Sequence, residues 1–317
     1  MSPLWSLKSL TLQSGSTKRL DGVSLEITTG VTAVLGYSGA GKTSLLNLLV
    51  DFERPTSGSL VPSLPGGPLP VFWVPQNGGL WNHIRADRHL EMVIGDGGSR
   101  TIAGDWLTRF GLQSRSNAMP AELSQGERAR LSVARALASD AAVLVMDEPL
   151  AHVDPARLWL WFDLIVESLE DAAGEAGSGR SLVFSTHQPE LVLRYAESVI
   201  CLDGGQCVFF GSVRDLYENP ADSRLASLLG RANWISEDES SIWLDQGFHA
   251  PGVLRPQWLR ACGDSDSKLK VVDSKHCGAV TETTLKDDST GRERQFVHAT
   301  GVALSPGQSV RLSVCRE

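Results

Sequence analysis

The sequence predicts an α/β protein with a mainly parallel sheet, followed by a small all-β, barrel-like domain. Three observations carry the prediction. Four short apolar runs each end in a polar residue or a turn: "VTAVLG" (31–36), "VFWVPQ" (71–76), "VLVMDE" (143–148) and "LVFSTH" (182–187). Stretches of helical period, 42–51, 127–139 and 156–170, lie between them. Near residue 220 the text changes to short alternating runs such as "KLKVVDS" and "QSVRLSV", broken by "CGDSDS", "KDDSTGRE" and "SPGQ". Strands separated by helices require crossover connections and hence a parallel sheet. Ligands of such sheets gather beyond the carboxyl ends of the strands. Those ends carry the loop at 36–43, Gln76, Asp147 with Glu148, and His187, so one site is implied.

Length and composition bound the reading. The 317 residues correspond to two domains at about 150 residues each. We place an α/β domain at 1–220, with a helical insertion at about 77–122, and a linker with the β domain at 221–317. The insertion contains "GDGGSR" (95–100), and "DAAGEAGSGR" (171–180) reads as an exposed loop. A hydrophobic content of 42% is that of an ordinary globular core. The net charge of −8 excludes a nucleic-acid partner held mainly by phosphate contacts, so any anion site must be built locally. Cys201, Cys207, Cys262, Cys277 and Cys315 show neither a C-x-x-C pair nor zinc spacing, as expected of scattered thiols in a reduced, intracellular protein. The opening "MSPLWSLKSLTLQSG" lacks the apolar core and cleavage site of a signal peptide. Runs such as "AAVLVM" stop far short of the ~20 residues a membrane helix needs.

The first strand leads into "GYSGAGKTS" (36–44), which matches G-x-x-x-x-G-K-[ST] and opens a helix. Gly36, Gly39 and Gly41 let the backbone turn so that the N–H groups of Tyr37, Ser38, Ala40 and their neighbours face an anion. The helix start adds its positive end. Lys42 neutralises β- and γ-phosphate oxygens, the Thr43 hydroxyl suits Mg²⁺, and Ser44 is placed to touch the α-phosphate. A triphosphate with its metal needs a carboxylate opposite this loop, and "VLVMDEP" supplies two. Asp147 holds the metal through water, and Glu148 is the base for an attacking water.

The stretch "ELSQGERARLSVARALASDAAVLVMDEP" (122–149) decides among phosphate-loop machines. "LSQGE" followed by an Arg/Ala-spaced helix, running directly into the Asp-Glu strand, resembles the signature helix of ABC-type ATPases. The resemblance implies the P-loop NTPase fold and ATP hydrolysis with Mg²⁺. It further implies two copies packed head to tail, each closing its signature residues Ser124, Gln125, Gly126 and Glu127 on the other's γ-phosphate. Gln76 then matches the glutamine loop that senses metal and γ-phosphate. Asp154 in "AHVD" matches the acid of the dimer seam, and His187 the switch histidine. Arg135 is expected to pair with an acid in the core. The signature usually reads L-S-G-G-Q, so Glu127 brings negative charge towards the phosphate unless Arg128 or Arg130 offsets it. Relatives also stack adenine on an aromatic residue, where this chain holds Ser14. Trp5 is a candidate substitute, although core packing is the readier reading.

"DLYENPADSRLASLLGRANWI" (215–235) and "VLRPQWLR" (253–260) resemble the junction and TOBE-type domain of bacterial solute importers. That resemblance implies an ATP-hydrolysing motor on the cytoplasmic face of the membrane. Its partners would be permease subunits, a second copy and, indirectly, a solute-binding protein. In "QNGGLWNHIRADRHLEMV" (76–93), Trp81, Ile84 and Leu90 are candidates to meet the permease, against ordinary packing of a helical subdomain. Two other readings stay open: a nucleotide-binding regulatory module with little hydrolysis, motivated by Glu127 and the missing aromatic, and a soluble ABC ATPase outside transport. The cargo is not written in the sequence.

Overall fold

The computed structural model describes residues 2–66, 69–94, 100–171, 179–244 and 252–315. Most of "GDGGSR" and of the loop after residue 171 lies outside them. The chain divides into two compact units, Met1–Val213 and Arg214–Glu317.

The strands of the first unit are β1 (Pro3–Ser14), β2 (Thr17–Thr28), β3 (Val31–Leu35), β4 (Ser57–Pro62), β5 (Val71–Val74), β6 (Val143–Asp147), β7 (Ser181–Ser185), β8 (Ser198–Asp203) and β9 (Gln206–Ser212). The helices are α1 (Lys42–Leu49), α2 (Ala86–Glu91), α3 (Arg100–Arg109), α4 (Gln125–Ala138), α5 (Pro155–Asp171) and α6 (Pro189–Tyr195). Six strands form one sheet in the order β5-β6-β7-β3-β8-β9. It is parallel from β5 to β8 and closes with antiparallel β9. Every residue of β3, β6 and β7 is buried, as both-faced cover by helices demands of central parallel strands.

The sequence reading counts only four of these strands. β8 and β9 join through Gly204 and Gly205, both at positive φ, a hairpin signal it passed over. It also missed the antiparallel sheet β2-β1-β4. β1 buries Leu4, Trp5, Leu7, Leu10 and Leu12, but register shifts between Leu7 and Leu12 break the two-residue period that would announce a strand.

Trp5 settles as core. It is fully buried and its Nε1 donates to the Leu49 carbonyl at 3.0 Å, tying β1 to the end of α1. It is therefore no adenine platform. α1 begins directly after Gly41, whose φ of 106° lets the loop swing into the helix, and it buries Leu45, Leu46, Leu48 and Leu49.

The insertion folds as α2 and α3 with 3₁₀ turns at Gln113–Arg115 and Pro120–Glu122. Arg135 of α4 fastens the preceding loop to the sheet, but not through an acid. Its guanidinium donates to the carbonyls of Gly79 (2.8 Å) and Gly78 (3.2 Å) and lies over the rings of Phe72 and Trp81. Burial pushes it down to about 10. The carbonyl dipoles and ring faces meet the terminal nitrogens where the sequence reading expects a carboxylate, and the buried Nε has no hydrogen-bond partner among the described residues. Leu90 is fully buried, so it packs within the insertion, whereas Trp81 is 44% exposed.

The second unit contains α7 (Val213–Glu218, which starts at the boundary), α8 (Ser223–Leu228), β10 (Asn233–Ile235), α9 (Glu237–Trp243), β11 (Gly252–Leu254), β12 (Leu259–Gly263), β13 (Leu269–Cys277), β14 (Val280–Asp287), β15 (Glu293–Ala299) and β16 (Ser309–Val314). A five-stranded antiparallel sheet runs β12-β16-β13-β14-β15 beside the pair β10-β11. Its core includes Trp243, Leu285, Phe296 and Leu312. Arg255 of "VLRP" is fully buried and donates to the carbonyls of Tyr217 and Ala226. Those carbonyls explain why the unit begins at Arg214 rather than at 221, because α7 and α8 satisfy a cation that the β domain buries.

All five cysteines are free. Among the described residues no helix is long and apolar enough to cross a membrane.

Candidate functional site

The sheet order places the sequence-predicted residues side by side. Gln76 follows β5, Asp147 ends β6 with Glu148 next after it, His187 follows β7, and the glycine loop follows β3. These are neighbouring strands, and their ends frame one cleft. Ser38, Gly39, Ala40, Gly41, Lys42, Thr43 and Ser44 line it together with Gln76, Glu148 and His187, around about 350 Å³.

Within the loop, the Lys42 Nζ donates to the carbonyls of Gly36 (2.8 Å) and Tyr37 (3.2 Å), so the ammonium arches the loop over itself. Burial pushes the Lys42 ammonium down from the usual lysine value, and the carboxylates of Glu148 and Asp147 oppose that shift. Tyr37, Ser38 and Gly39 are exposed, while Gly36 and Ala40 are buried.

Asp147 is buried and held on both oxygens. The Thr43 hydroxyl donates to Oδ2 at 2.7 Å and the Ser185 hydroxyl to Oδ1 at 2.5 Å. The Ser185 Oγ also accepts the Glu148 N–H at 2.9 Å. Ser185 thus aims both acids, a role the sequence reading missed because the residue sits inside an apolar strand on a different segment. Glu148 takes a φ of 50°, a left-handed conformation that costs a residue with a Cβ about 1–3 kcal/mol. The turn delivers its carboxylate to the cleft, where Oε1 lies 2.5 Å from the His187 Nε2 and Oε2 accepts the Gln76 Nε2–H at 3.3 Å.

A divalent cation fits this donor set. The Thr43 hydroxyl, the Asp147 carboxylate and the Gln76 amide offer hard oxygen ligands. Among the described residues no group of three or more His, Cys, Asp or Glu forms a metal cage.

The predicted signature residues do not line this cleft in their own chain. Ser124 caps α4, and its Oγ accepts the Glu127 N–H at 3.2 Å. The Glu127 Oε2 accepts the Ser124 N–H at 2.8 Å, and its Oε1 meets the Arg115 Nε at 3.2 Å. The carboxylate is folded back as a capping box. Arg115 pairs with it, and Arg130, one of the two arginines the sequence reading names, also feels its charge. Arg128 instead donates to the Leu123 carbonyl, and Arg130 to those of Phe110 and Gly111. Gln125 borders a neighbouring hollow shared with Gln76, Glu148 and His152. Gly126 is needed for close approach, since a Cβ there would stand 3.0 Å from the His152 carbonyl oxygen. Asp154 accepts the Ala156 N–H at 2.9 Å at the start of α5, outside the cleft.

The backbone N–H of Ser124 holds the Glu127 carboxyl below its ordinary value, with Ser124 Oγ and Arg115 adding to the effect against desolvation. A depressed carboxyl stabilises the fold fully above its unfolded value of about 4.3 and loses that contribution as pH falls through the folded value. Glu127→Ala is therefore expected to lower stability by about 1 kcal/mol near neutral pH, the cost of a lost cap. The gap from wild type should shrink below pH 4 in denaturant titrations. A gap independent of pH would show that the capping box is not what Glu127 contributes.

Comparisons with known proteins fit this geometry. The profile of the family described as ABC transporter matches residues 20–151. The chain is 33% identical over 222 residues to the thiamine import ATP-binding protein of Mesorhizobium japonicum, covering 66% of this chain and 85% of that one. It is 32% identical over 279 residues to the Fe(3+) ions import ATP-binding protein of Agrobacterium fabrum, covering 84% and 76%. The Brucella melitensis protein of that latter description is 32% identical, over 72% of this chain and 66% of its own. Among solved structures, a dimeric ATP-binding cassette in a post-hydrolysis state with ADP and Pi aligns with a TM-score of 0.55 and 24% identity, over 67% of this chain and 99% of that one. An ATP-binding subunit of an ABC transporter aligns at 0.57 and 21%, over 72% and 95%.

Proposed function

The chain belongs to the family of ABC transporter ATP-binding subunits, and on that premise we propose that it is the ATP-hydrolysing motor of a solute importer. The observation that carries the proposal is the bracketing of the Glu148 carboxylate by His187 and Gln76 at the mouth of the phosphate-loop cleft. The triphosphate lies along the N–H groups of residues 36–44, with Lys42 against its β- and γ-oxygens and Ser44 near its α-phosphate. Thr43, Asp147 and Gln76 would hold Mg²⁺, which would supply charge neutralisation to the phosphates.

Glu148 orients water and accepts its proton as the water oxygen attacks the γ-phosphorus. The bond to the bridging oxygen breaks, and ADP leaves with the electron pair. The His187 Nε2 faces either Glu148 or a γ-phosphate oxygen, which makes it a switch between open and charged states. Ser185 keeps Asp147 and Glu148 in register throughout.

Closure needs a second copy. The first turn of α4 presents N–H groups that no helical carbonyl can reach, those of Gln125 and Gly126, beside the Ser124 hydroxyl. They receive the γ-phosphate bound by the partner subunit, and Asp154 lies at the seam. Because Glu127 is turned back onto its own cap, its charge does not oppose this contact, which removes one motive for a non-hydrolysing module. The dimer pulls permease subunits on the inner membrane face through the surface around Trp81, and a solute-binding protein delivers cargo from the other side.

Co-expressed with the permease encoded beside it, the protein is expected to be retained in membranes and to release phosphate severalfold faster than alone. Failure of every neighbouring permease to retain or stimulate it would overturn the importer reading.

A further inference from the structure

We propose that Arg19 anchors the α-phosphate end of the bound nucleotide, so that the site reads phosphates rather than the base. The inference rests on the nucleotide reading of the cleft given above. Arg19 lies on β2 and lines the cleft beside Thr17, Lys18 and Ser44. Among the described residues no Phe, Tyr or Trp lines it, and Ser14 is exposed at the β1–β2 turn.

Three contacts fix the guanidinium. Its Nε donates to the Ser44 Oγ at 2.9 Å, and its two terminal nitrogens donate to the two oxygens of Glu53 at 2.8 and 3.1 Å. Asn47 holds the same carboxylate at 3.1 Å, so the group is clamped from behind. The side chain is nonetheless 34% exposed.

The geometry then sorts the donors. An arginine carries five N–H groups in a flat fork. The end-on pair to Glu53 leaves one terminal N–H on the same edge as Nε–H, the edge that meets Ser44. With its Nε–H given to Ser44, this edge keeps that terminal N–H as the donor open on the loop side. Since Arg19 fills one lone pair of the Ser44 oxygen, the hydroxyl proton remains to be given to an anion. Guanidinium and hydroxyl therefore converge on one position at the start of α1, where the helix end already favours negative charge. The backbone keeps this register. A Cβ on Gly41 would stand 2.6 Å from the Arg19 carbonyl oxygen, so β2 presses directly on the loop. None of these donors distinguishes one base from another.

The test uses the full-length protein with Mg²⁺ and measures dissociation constants for ATP, GTP and CTP, with a melting curve for each variant. Wild type is expected to bind the three within about threefold. Arg19→Ala should weaken all three alike by about 10- to 100-fold, the range of a hydrogen bond to a charged group. Arg19→Lys should restore part of the loss. Glu53→Gln, which frees the cation, should leave binding unchanged or tighter. Equal losses in Arg19→Ala and Glu53→Gln would show a structural tie only and overturn the proposal. A preference for ATP above about tenfold, or full binding by Arg19→Ala, would also overturn it. Lys42→Ala separates the two readings. If that variant also binds normally, the cleft is not the nucleotide site; if only Arg19→Ala is silent, the fault lies with Arg19 alone.

Discussion

Glu148→Gln is expected to abolish phosphate release, by about 10²- to 10⁴-fold, while ATP stays bound. The amide keeps the shape of the side chain and tolerates the left-handed backbone no worse than the acid does. It can still meet Gln76 and His187, but it cannot accept a proton from water at neutral pH. Binding rests on the loop and Lys42, which the change does not touch. With closure intact and hydrolysis blocked, the variant should accumulate as an ATP-bound dimer. Phosphate release, nucleotide retention and size-exclusion chromatography at saturating ATP read the three parts separately. Release at the wild-type rate would remove Glu148 from the chemistry. A monomer at saturating ATP would remove the composite site.

Gly36→Ala is expected to lower ATP binding and turnover by about 100-fold, although it adds one methyl group outside the cleft. At φ 151°, its Cβ would stand 2.4 Å from the Leu202 carbonyl oxygen and 2.9 Å from the Ala40 Cβ. The first is backbone of β8 at a residue paired with Cys207 of β9, so it resists displacement. The loop must yield instead, and with it the carbonyl that Lys42 grips at 2.8 Å. A displacement of 1 Å at a phosphate cradle is worth about 10² in rate. An ATP titration with a thermal melt checks this. Wild-type affinity at unchanged melting temperature would show the loop to be softer than the contacts imply.

The parts of the site that could be read in advance are those written in contiguous residues. The loop from Gly36 to Thr43 couples its glycines, lysine and hydroxyl within one turn of chain, and Asp147 with Glu148 ends an unbroken apolar run. Both are local signals, because the backbone conformation and the functional groups sit on the same few residues. Glu127 marks where that stops. Its charge was legible, but its direction depends on Ser124 and on Arg115, which arrives from the insertion. Arg135 likewise carried a legible charge whose partners, two carbonyls and two rings, come from another segment. Ser185 and Arg19 gave no signal at all, since a serine in a strand or an arginine in a hairpin has no pattern around it.

By itself, then, the chain's text determined the phosphate cradle, the acid pair, the class of sheet and the family, because each depends on residues adjacent along the backbone. Only tertiary structure decided the strand order that sets Gln76, Glu148, His187 and the loop in consecutive positions, the hydroxyls that hold Asp147, and the arginine beside Ser44. Those depend on contacts between segments far apart in the chain, as between Gly30 and Ser181, 151 residues apart, where burial and hydrogen bonding across the sheet choose the neighbours.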